Sequence, residues 1–177
     1  MKLKIPKISL IGFLMVALAV FVVVIFNDNY QNVLVSDYFA KDSCSKNQKE
    51  LMQNIMMYAT EHEGIMPGAE IWTVLEVEPD VIKCVEDKRV NVKNSYAYNA
   101  NLFSLHLKDI IAPAALIATA DSDAENNFMR TFSDLNFRHI YKKTRENFAI
   151  ISYIDGHVGA VAPDDMSFIK FENKADK

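Results

Sequence analysis

Four side chains in this sequence have the chemistry of a metal site or of proton transfer. They are the carboxylates of Asp121 and Asp155 and the imidazoles of His139 and His157. Carboxylates and imidazoles are ligands for divalent cations, and an imidazole also exchanges protons near neutral pH. Two strand ends and a loop can bring such residues together, so these four are the candidate metal ligands of the chain.

A structural explanation exists for each of the four residues, and we favour it. Asp155 and Gly156 fit a two-residue type I′ turn, and Asp121 can cap a strand end. His139 can act as a buried hydrogen-bonding group. The sequence carries no HExxH motif, P-loop, nucleophile elbow or glycine-rich dinucleotide turn. We predict that the protein is not an enzyme and has no catalytic or cofactor-binding residue, with calcium or another divalent metal at the four residues as the alternative.

An apolar segment near the start of the chain determines the cellular compartment in which these residues are expected. Ile8–Phe26 contains no charged side chain and, as a helix, is about 28 Å long, close to the hydrocarbon thickness of a bilayer. Three lysines precede it, so the positive-inside rule places residues 1–7 in the cytoplasm and residues 27–177 outside. We predict a transmembrane helix over 8–26; the alternatives are a cleaved signal peptide and a buried core helix.

The outer portion, residues 27–177, has the size of one domain. The net charge of the whole chain is −4, and the outer portion is more acidic because the three N-terminal lysines lie before the membrane segment. This acidity argues against a nucleic-acid partner. Cys44 and Cys84 both lie in this portion, in a compartment that permits disulfides. A Cys44–Cys84 disulfide is predicted, and two unlinked thiols are the alternative.

Periodicity predicts the elements that position these residues. An amphipathic helix is predicted, with Cys44, Leu51, Ile55 and Tyr58 on one face. No proline or glycine separates this helix from the membrane segment, and Gly64 ends it. Residues 71–75 suit a short helix or turn, 95–99 a strand and 115–120 a buried central strand. A long loop is expected over 121–147, a hairpin over 148–161, and a frayed tail after 163.

In this order and spacing, the segments resemble those of bacterial prepilin-type proteins that end in a histidine, a spacer and Asp-Gly. The resemblance covers most of residues 8–162. It rests on the apolar N-terminal helix and on these pieces: Cys44 opening the helix, Glu63-Gly64, Trp72, Cys84, Ser95–Asn99, Ile117–Ser122, Arg138-His139, Asn147 and Tyr153–Val158.

The resemblance implies a pilin-like α+β fold, with one long N-terminal helix that spans the membrane and then packs on a small antiparallel sheet. It implies a single-pass protein of the bacterial inner membrane whose C-terminal domain is periplasmic or extracellular. Its expected partners are the membrane and other pilin-like subunits, met through the helix. A pseudopilin-like function follows, as a minor component of a type IV pilus or type II secretion pseudopilus. The alternative is a monomeric anchored module that binds a protein, a glycan or calcium.

Two departures from the family affect this expectation. The resemblance implies cleavage of a leader after Gly12, but Ala17 stands where the family carries a glutamate, which weakens the case for processing. In the family's filaments that buried carboxylate can neutralise the N-terminal amine of a neighbouring subunit. The spacer between His139 and Asp155, residues 140–154, is also longer than the family's. A major filament subunit is therefore not expected.

Overall fold

The computed structural model describes residues 41–141 and 144–174. Residues 1–7, the predicted membrane segment 8–26 and the cleavage position Gly12 lie outside this part. Within the described ranges, no helix is both long and apolar enough to cross a membrane. The fold is α+β. Helix α1 covers 41–61 of the described chain and α2 is Ile71–Val74; the strands are β1 (Tyr96–Asn99), β2 (Ile117–Asp121), β3 (Phe128–Met129), β4 (His139–Tyr141), β5 (Glu146–Tyr153) and β6 (Val158–Val161).

The six strands form one mixed sheet in the order β3-β1-β2-β5-β4, with β6 paired to β5. The prediction of an antiparallel sheet was therefore wrong at β3, which runs parallel to β1. The reason is the path of the chain. Because Asp121 pairs with Tyr96, β2 ends where β1 begins. The chain then crosses that end of the sheet and returns along the other edge of β1 in the same direction.

Helix α1 packs on one face of the sheet. The amphipathic pattern is confirmed, because its buried residues recur at helical spacing: Cys44, Gln48, Leu51, Met52, Ile55 and Ala59. The helix ends near the predicted stop. Glu63 and Gly64 adopt positive φ angles, and the Gly64 N–H donates to the Ala59 carbonyl at 2.7 Å, which satisfies a carbonyl of the last turn.

The opposite face of the sheet is covered by the C-terminal segment. Ile169 and Phe171 pack against Ala97, Ile117 and Ile151, all of them buried. The Lys170 N–H donates to Ala115, and Ile117 donates back to Lys170. The prediction of a frayed tail after 163 was wrong for the described residues. Two apolar side chains among charged residues, Ile169 and Phe171, are enough to fix this segment on the sheet.

The hairpin of β5 and β6 is confirmed, but its turn differs from the prediction. Gly156 has φ +90°, whereas Asp155 is not among the residues with positive φ, and type I′ requires both. The Gly156 N–H donates to Tyr153 and the Tyr153 N–H to His157, each at about 3 Å. The loop therefore has three residues, with glycine in the left-handed position that follows a type I turn.

The segment 121–147 also differs from the single loop that was predicted. It contains β3, β4, a 3₁₀ turn at Phe132–Asp134 and the first residues of β5. Glu146 and Asn147 pair with β4 although both are exposed. Because their side chains are polar, apolar periodicity does not detect this part of the strand. The strands predicted at 95–99 and 115–120 are confirmed, the second beginning at Ile117, as is the short helix near Trp72.

Candidate functional site

Cys44 and Cys84 form a disulfide, as predicted. Cys44 lies on the sheet-facing side of α1, and Cys84 lies in the segment between α2 and β1. Their Cα atoms are 5.3 Å apart, a separation that suits a disulfide, and both side chains are buried. The bond therefore joins the helix covalently to the chain that leads into the sheet.

His139, the first residue of β4, lies beside this disulfide. Its Nε2 atom is 3.5 Å from Cys84 Sγ and 3.1 Å from Asp121 Oδ2. The ring stacks on Phe148, with 5.2 Å between the ring centroids. In a nucleophile–histidine–acid triad, the two partners bind different ring nitrogens. Here both partners face the same nitrogen, so the arrangement suits a positioned imidazole and not a proton relay.

Asp121, the last residue of β2, is fully buried beneath this histidine. Its Oδ2 atom also accepts a hydrogen bond of 2.8 Å from the Ile150 N–H of β5. Its Oδ1 atom faces Arg138 Nε at 3.4 Å. The carboxylate therefore joins three strands, because it contacts β5 and β4 from the end of β2. The predicted strand-end position is confirmed, and its contacts are with an imidazole and a guanidinium.

Arg138 connects this carboxylate to a second acidic group. Its side chain is only 6% exposed, and Nη1 lies 2.6 Å from Asp87 Oδ2. Nη2 donates to Asp123 Oδ1 at 3.0 Å and to the Ser122 carbonyl at 2.9 Å. Arg89, at the surface, pairs with the same Asp87 oxygen at 2.6 Å. Two arginines and three aspartates thus form one network that runs from the surface to the buried histidine.

The electrostatics of the network favour an ionised Asp87. Burial alone would raise the pKa of this carboxyl. Hydrogen bonds from the side chain and backbone of Arg89 and from the guanidinium of Arg138 more than compensate, so the pKa lies well below its ordinary value. A buried carboxylate with such partners stays charged throughout the physiological range. Sequence analysis missed this network, because Asp87 and Arg89 lie in one loop, Asp123 lies in another, and together they form no motif.

The other two predicted metal candidates lie in the hairpin turn and form a pair of their own. His157 Nδ1 is 2.5 Å from Asp155 Oδ1, and the His157 N–H also donates to that oxygen at 3.1 Å. Partial burial would raise the pKa of Asp155, but these contacts hold it below its ordinary value. The His157 ring stacks on Tyr153 at 4.0 Å between centroids. The structure therefore divides the four candidates into an Asp121–His139 pair and an Asp155–His157 pair.

A buried polar cluster joins α1 to the sheet. Gln48 Nε2 donates to the Ile150 carbonyl at 3.3 Å, and its Oε1 accepts from the Thr119 hydroxyl. Thr119 Oγ1 lies 2.6 Å from Ser152 Oγ. Sequence analysis missed the cluster, although Gln48 stands one helical turn after Cys44, on the same stripe. A polar residue within an apolar stripe was the available signal.

The outer part of α1 borders a groove. Its volume is about 640 Å³, and its walls include Met52, Met56, Met57 and the hairpin glycine, Gly156. Met57 is 60% exposed. Methionine side chains adapt to differently shaped apolar partners, so the groove has the chemistry of a contact surface for a protein segment.

Comparisons of the sequence with protein-family models and with curated proteins, and of the fold with solved structures, found no significant match.

Proposed function

We propose that this chain is a single-pass, pseudopilin-like protein of the bacterial inner membrane, and a minor component of a type IV pilus or type II secretion pseudopilus. Ile8–Phe26 is the anchor, residues 1–7 are cytoplasmic, and the domain over 27–177 is periplasmic or extracellular. The support from the sequence is the uncharged apolar run, the lysines before it and the prepilin-type resemblance.

The observation that carries the proposal is how α1 meets the sheet. A pilin-like subunit needs a helix that is fixed to its own domain on one side and open to neighbours on the other. Cys44, Leu51 and Ile55 are buried against the domain, and the disulfide holds the helix there. The residues along the other side are exposed at helical spacing: Asp42, Lys46, Lys49, Gln53, Met57 and Thr60.

The disulfide also supports a location outside the cytoplasm. Disulfides form and persist in the periplasm and at cell surfaces, and cytoplasmic thiols are kept reduced. Cys44 and Cys84 are both buried, and they join elements that are distant in sequence. A domain that uses this bond to fix its main helix is suited to the oxidising side of the membrane.

We propose a minor subunit because of the N-terminal sequence. Ala17 occupies the place of the glutamate that family members use between neighbouring subunits. Without a carboxylate there, a neighbour's N-terminal amine would remain unpaired in an apolar environment, which is costly. Sparse incorporation, at a tip or at intervals, avoids a repeated row of such contacts.

The second candidate is a monomeric anchored module that binds a partner through its outer domain. The groove beside Met56, Met57 and Gly156 favours this alternative, because its walls are largely apolar and accessible. Its partner would be a protein segment with apolar side chains. A glycan would call for more polar walls, and calcium would call for several converging oxygens.

Photo-crosslinking in the native envelope distinguishes the two candidates. A benzophenone side chain is placed at Asp42 or Lys46, on the outer side of α1 beyond the groove, and at Met57 or Thr60, in the wall of the groove. Val90 and Phe168, which are exposed in other segments, are the controls. The pseudopilin-like function predicts adducts with a second copy or with other pilin-like subunits from the helix positions, and none from the controls.

The opposite results would contradict the proposal in different ways. Adducts from Met57 or Thr60 alone, all with one protein that lacks an apolar N-terminal helix, would favour the binding module. Equal adducts from helix and control positions would mean that α1 is no special contact surface. Absence of adducts at every position under native expression would leave a monomeric protein as the better account.

A further inference from the structure

Three potential metal ligands converge inside the domain, around the disulfide. Cys44 Sγ, Cys84 Sγ and a ring nitrogen of His139 all lie within 4.8 Å of one another. They come from α1, from the segment before β1 and from β4. All three side chains are buried, and the ring of His139 is held by Phe148 and Asp121. The ligand atoms are therefore gathered by the fold and not by a sequence motif.

We propose that the reduced form of this protein binds a zinc ion through Cys44, Cys84 and His139. Zinc binds thiolate sulfur at about 2.3 Å and imidazole nitrogen at about 2.0–2.1 Å in tetrahedral geometry. Two such ligands are then about 3.5 Å apart. Cys84 Sγ and His139 Nε2 are 3.5 Å apart in the structure. Two thiolates and an imidazole select zinc over calcium or magnesium, which prefer oxygen ligands.

The site becomes available only after reduction. A dithiol or phosphine reductant supplies two electrons, the S–S bond breaks, and two protons from solvent complete the two thiols while the reductant is oxidised. Binding of Zn²⁺ then displaces both thiol protons, so the cysteines coordinate as thiolates. The disulfide and the zinc-bound state therefore exclude each other.

The surroundings provide an entry path and a charge balance. Cys84 borders a cavity of about 420 Å³ that is also lined by Asn47, Lys83 and Asp87, through which reductant and metal can approach. Asp121 Oδ2 lies 3.1 Å from His139 Nε2, so a carboxylate borders the imidazole that would bind the metal. Arg138 pairs with the other oxygen of this carboxylate, which offsets part of the negative charge that two thiolates and a neighbouring carboxylate place around the zinc ion.

The zinc site does not depend on the proposed pilin-like function, because it follows from the geometry of the domain alone. The zinc-bound state is expected before the cysteines are oxidised, or under reducing stress. In that state the two thiols are buried, and no disulfide joins α1 to the segment before β1. Zinc would then join the same two elements that the disulfide joins in the oxidised protein.

The test uses the full chain in detergent, oxidised or reduced with a phosphine, incubated with Zn²⁺ and freed of excess metal. Mass spectrometry should find about one zinc per reduced chain and almost none per oxidised chain. Cobalt in place of zinc should give a sulfur-to-metal charge-transfer band only after reduction. The matched control is the Cys44→Ser, Cys84→Ser double variant, which lacks the disulfide just as the reduced protein does and should take up no metal.

Variants of the histidine decide whether the site is the one proposed. His139→Gln should weaken zinc binding by about tenfold or more, and His157→Gln, on the separate hairpin pair, should leave it unchanged. Zinc uptake by the reduced protein equal to that of the double serine variant would overturn the proposal, as would unchanged affinity in His139→Gln. If reduction unfolds the chain, zinc must restore its circular dichroism; a chain that neither binds zinc nor refolds also overturns it.

Discussion

The buried charged residues of this domain depend on one another, because each is neutralised by the others. Arg138 is nearly buried and contacts Asp87, Asp121 and Asp123, so it serves more than one carboxylate at once. Removing one partner from such a group leaves the others charged and desolvated. That loss is larger than the net contribution of an ion pair.

Replacement of Arg138 should therefore strongly lower the stability of the domain. Arg138→Leu keeps most of the side-chain volume but leaves Asp121 without its guanidinium and Asp87 with Arg89 alone, so the free energy of unfolding should fall by about 3–5 kcal/mol. Urea unfolding of the full chain in detergent, followed by its single tryptophan, measures the loss. Arg89→Leu is the control, because Arg89 is 30% exposed and its loss should be clearly smaller. Equal losses in both variants would contradict the central position assigned to Arg138.

Acid should destabilise the domain through Asp87. Its pKa in the folded state is lowered, so its contribution to stability is fully present above the ordinary carboxyl pKa of about 4 and is lost as the pH falls below that value. Urea midpoints measured from pH 6 down to strong acid should decline on the acid side. In Asp87→Asn, which starts less stable, this decline should be shallower. An identical pH profile in variant and wild type would show that other carboxyls cause the acid loss.

Gly156 should matter for its backbone angle alone. Its φ is +90°, and a Cβ atom built there meets nothing within 4 Å, so a side chain would cause strain without a clash. Gly156→Val should cost about 1–3 kcal/mol, and Gly156→Asn less, because asparagine tolerates the left-handed region better. The same urea measurement compares them. Equal costs for the two variants would mean that side-chain contacts decide, against the open space around this position.

At the scale of elements, local apolar patterns predicted those parts of the fold that such patterns describe. Helix α1 buries one stripe, whereas β1 and β2 are short runs that are buried on both faces. These three elements and the hairpin were located from the sequence. Elements that depend on partners distant in sequence were missed. The polar start of β5 is a strand because β4 pairs with it, and the tail is ordered because Phe171 meets a face of the sheet. No local pattern contains that information.

The same reasoning explains how much of the candidate site was predictable. His139 and Asp121 were identified as chemically capable residues, and the disulfide was predicted from two cysteines and the expected compartment. Their mutual contact was not predictable, because β4 and the Cys84 loop are brought together only by tertiary packing. Gln48 is buried although glutamine is usually exposed, since Thr119 and the Ile150 carbonyl satisfy its amide.

Docking of the C-terminal segment can be tested with two phenylalanines. Phe171 is buried, whereas Phe168 is 77% exposed. Phe171→Ala should lower the free energy of unfolding by about 3–5 kcal/mol, and Phe168→Ala should change it little. Thermal or urea unfolding of both variants gives the comparison. A mild effect at both positions would mean that this segment contributes little to the core, despite its backbone hydrogen bonds.

For the molecule as a whole, the main prediction is the side of the membrane on which the domain lies. Lys2, Lys4 and Lys7 precede the apolar run, so a phosphatase that is active only outside the cytoplasm should be active when fused after Lys177 through a flexible linker. A cytoplasmic reporter at the same position should be silent. The matched control replaces the three lysines by glutamate, which should lower phosphatase activity. Activity of the cytoplasmic reporter on the unmodified chain would overturn the topology.

A covalent bond at Cys44 changes how this domain would bear mechanical tension. If force enters along the chain from the N-terminal side, it reaches Cys44 near the described start of α1 and can pass across the sulfur bridge to Cys84. The chain between the two cysteines, which includes the rest of α1 and α2, is then bypassed and cannot be pulled out as a length of extended polypeptide. Tension is delivered to the segment that leads from Cys84 into β1, so it bypasses the helix and is borne by that segment and the sheet.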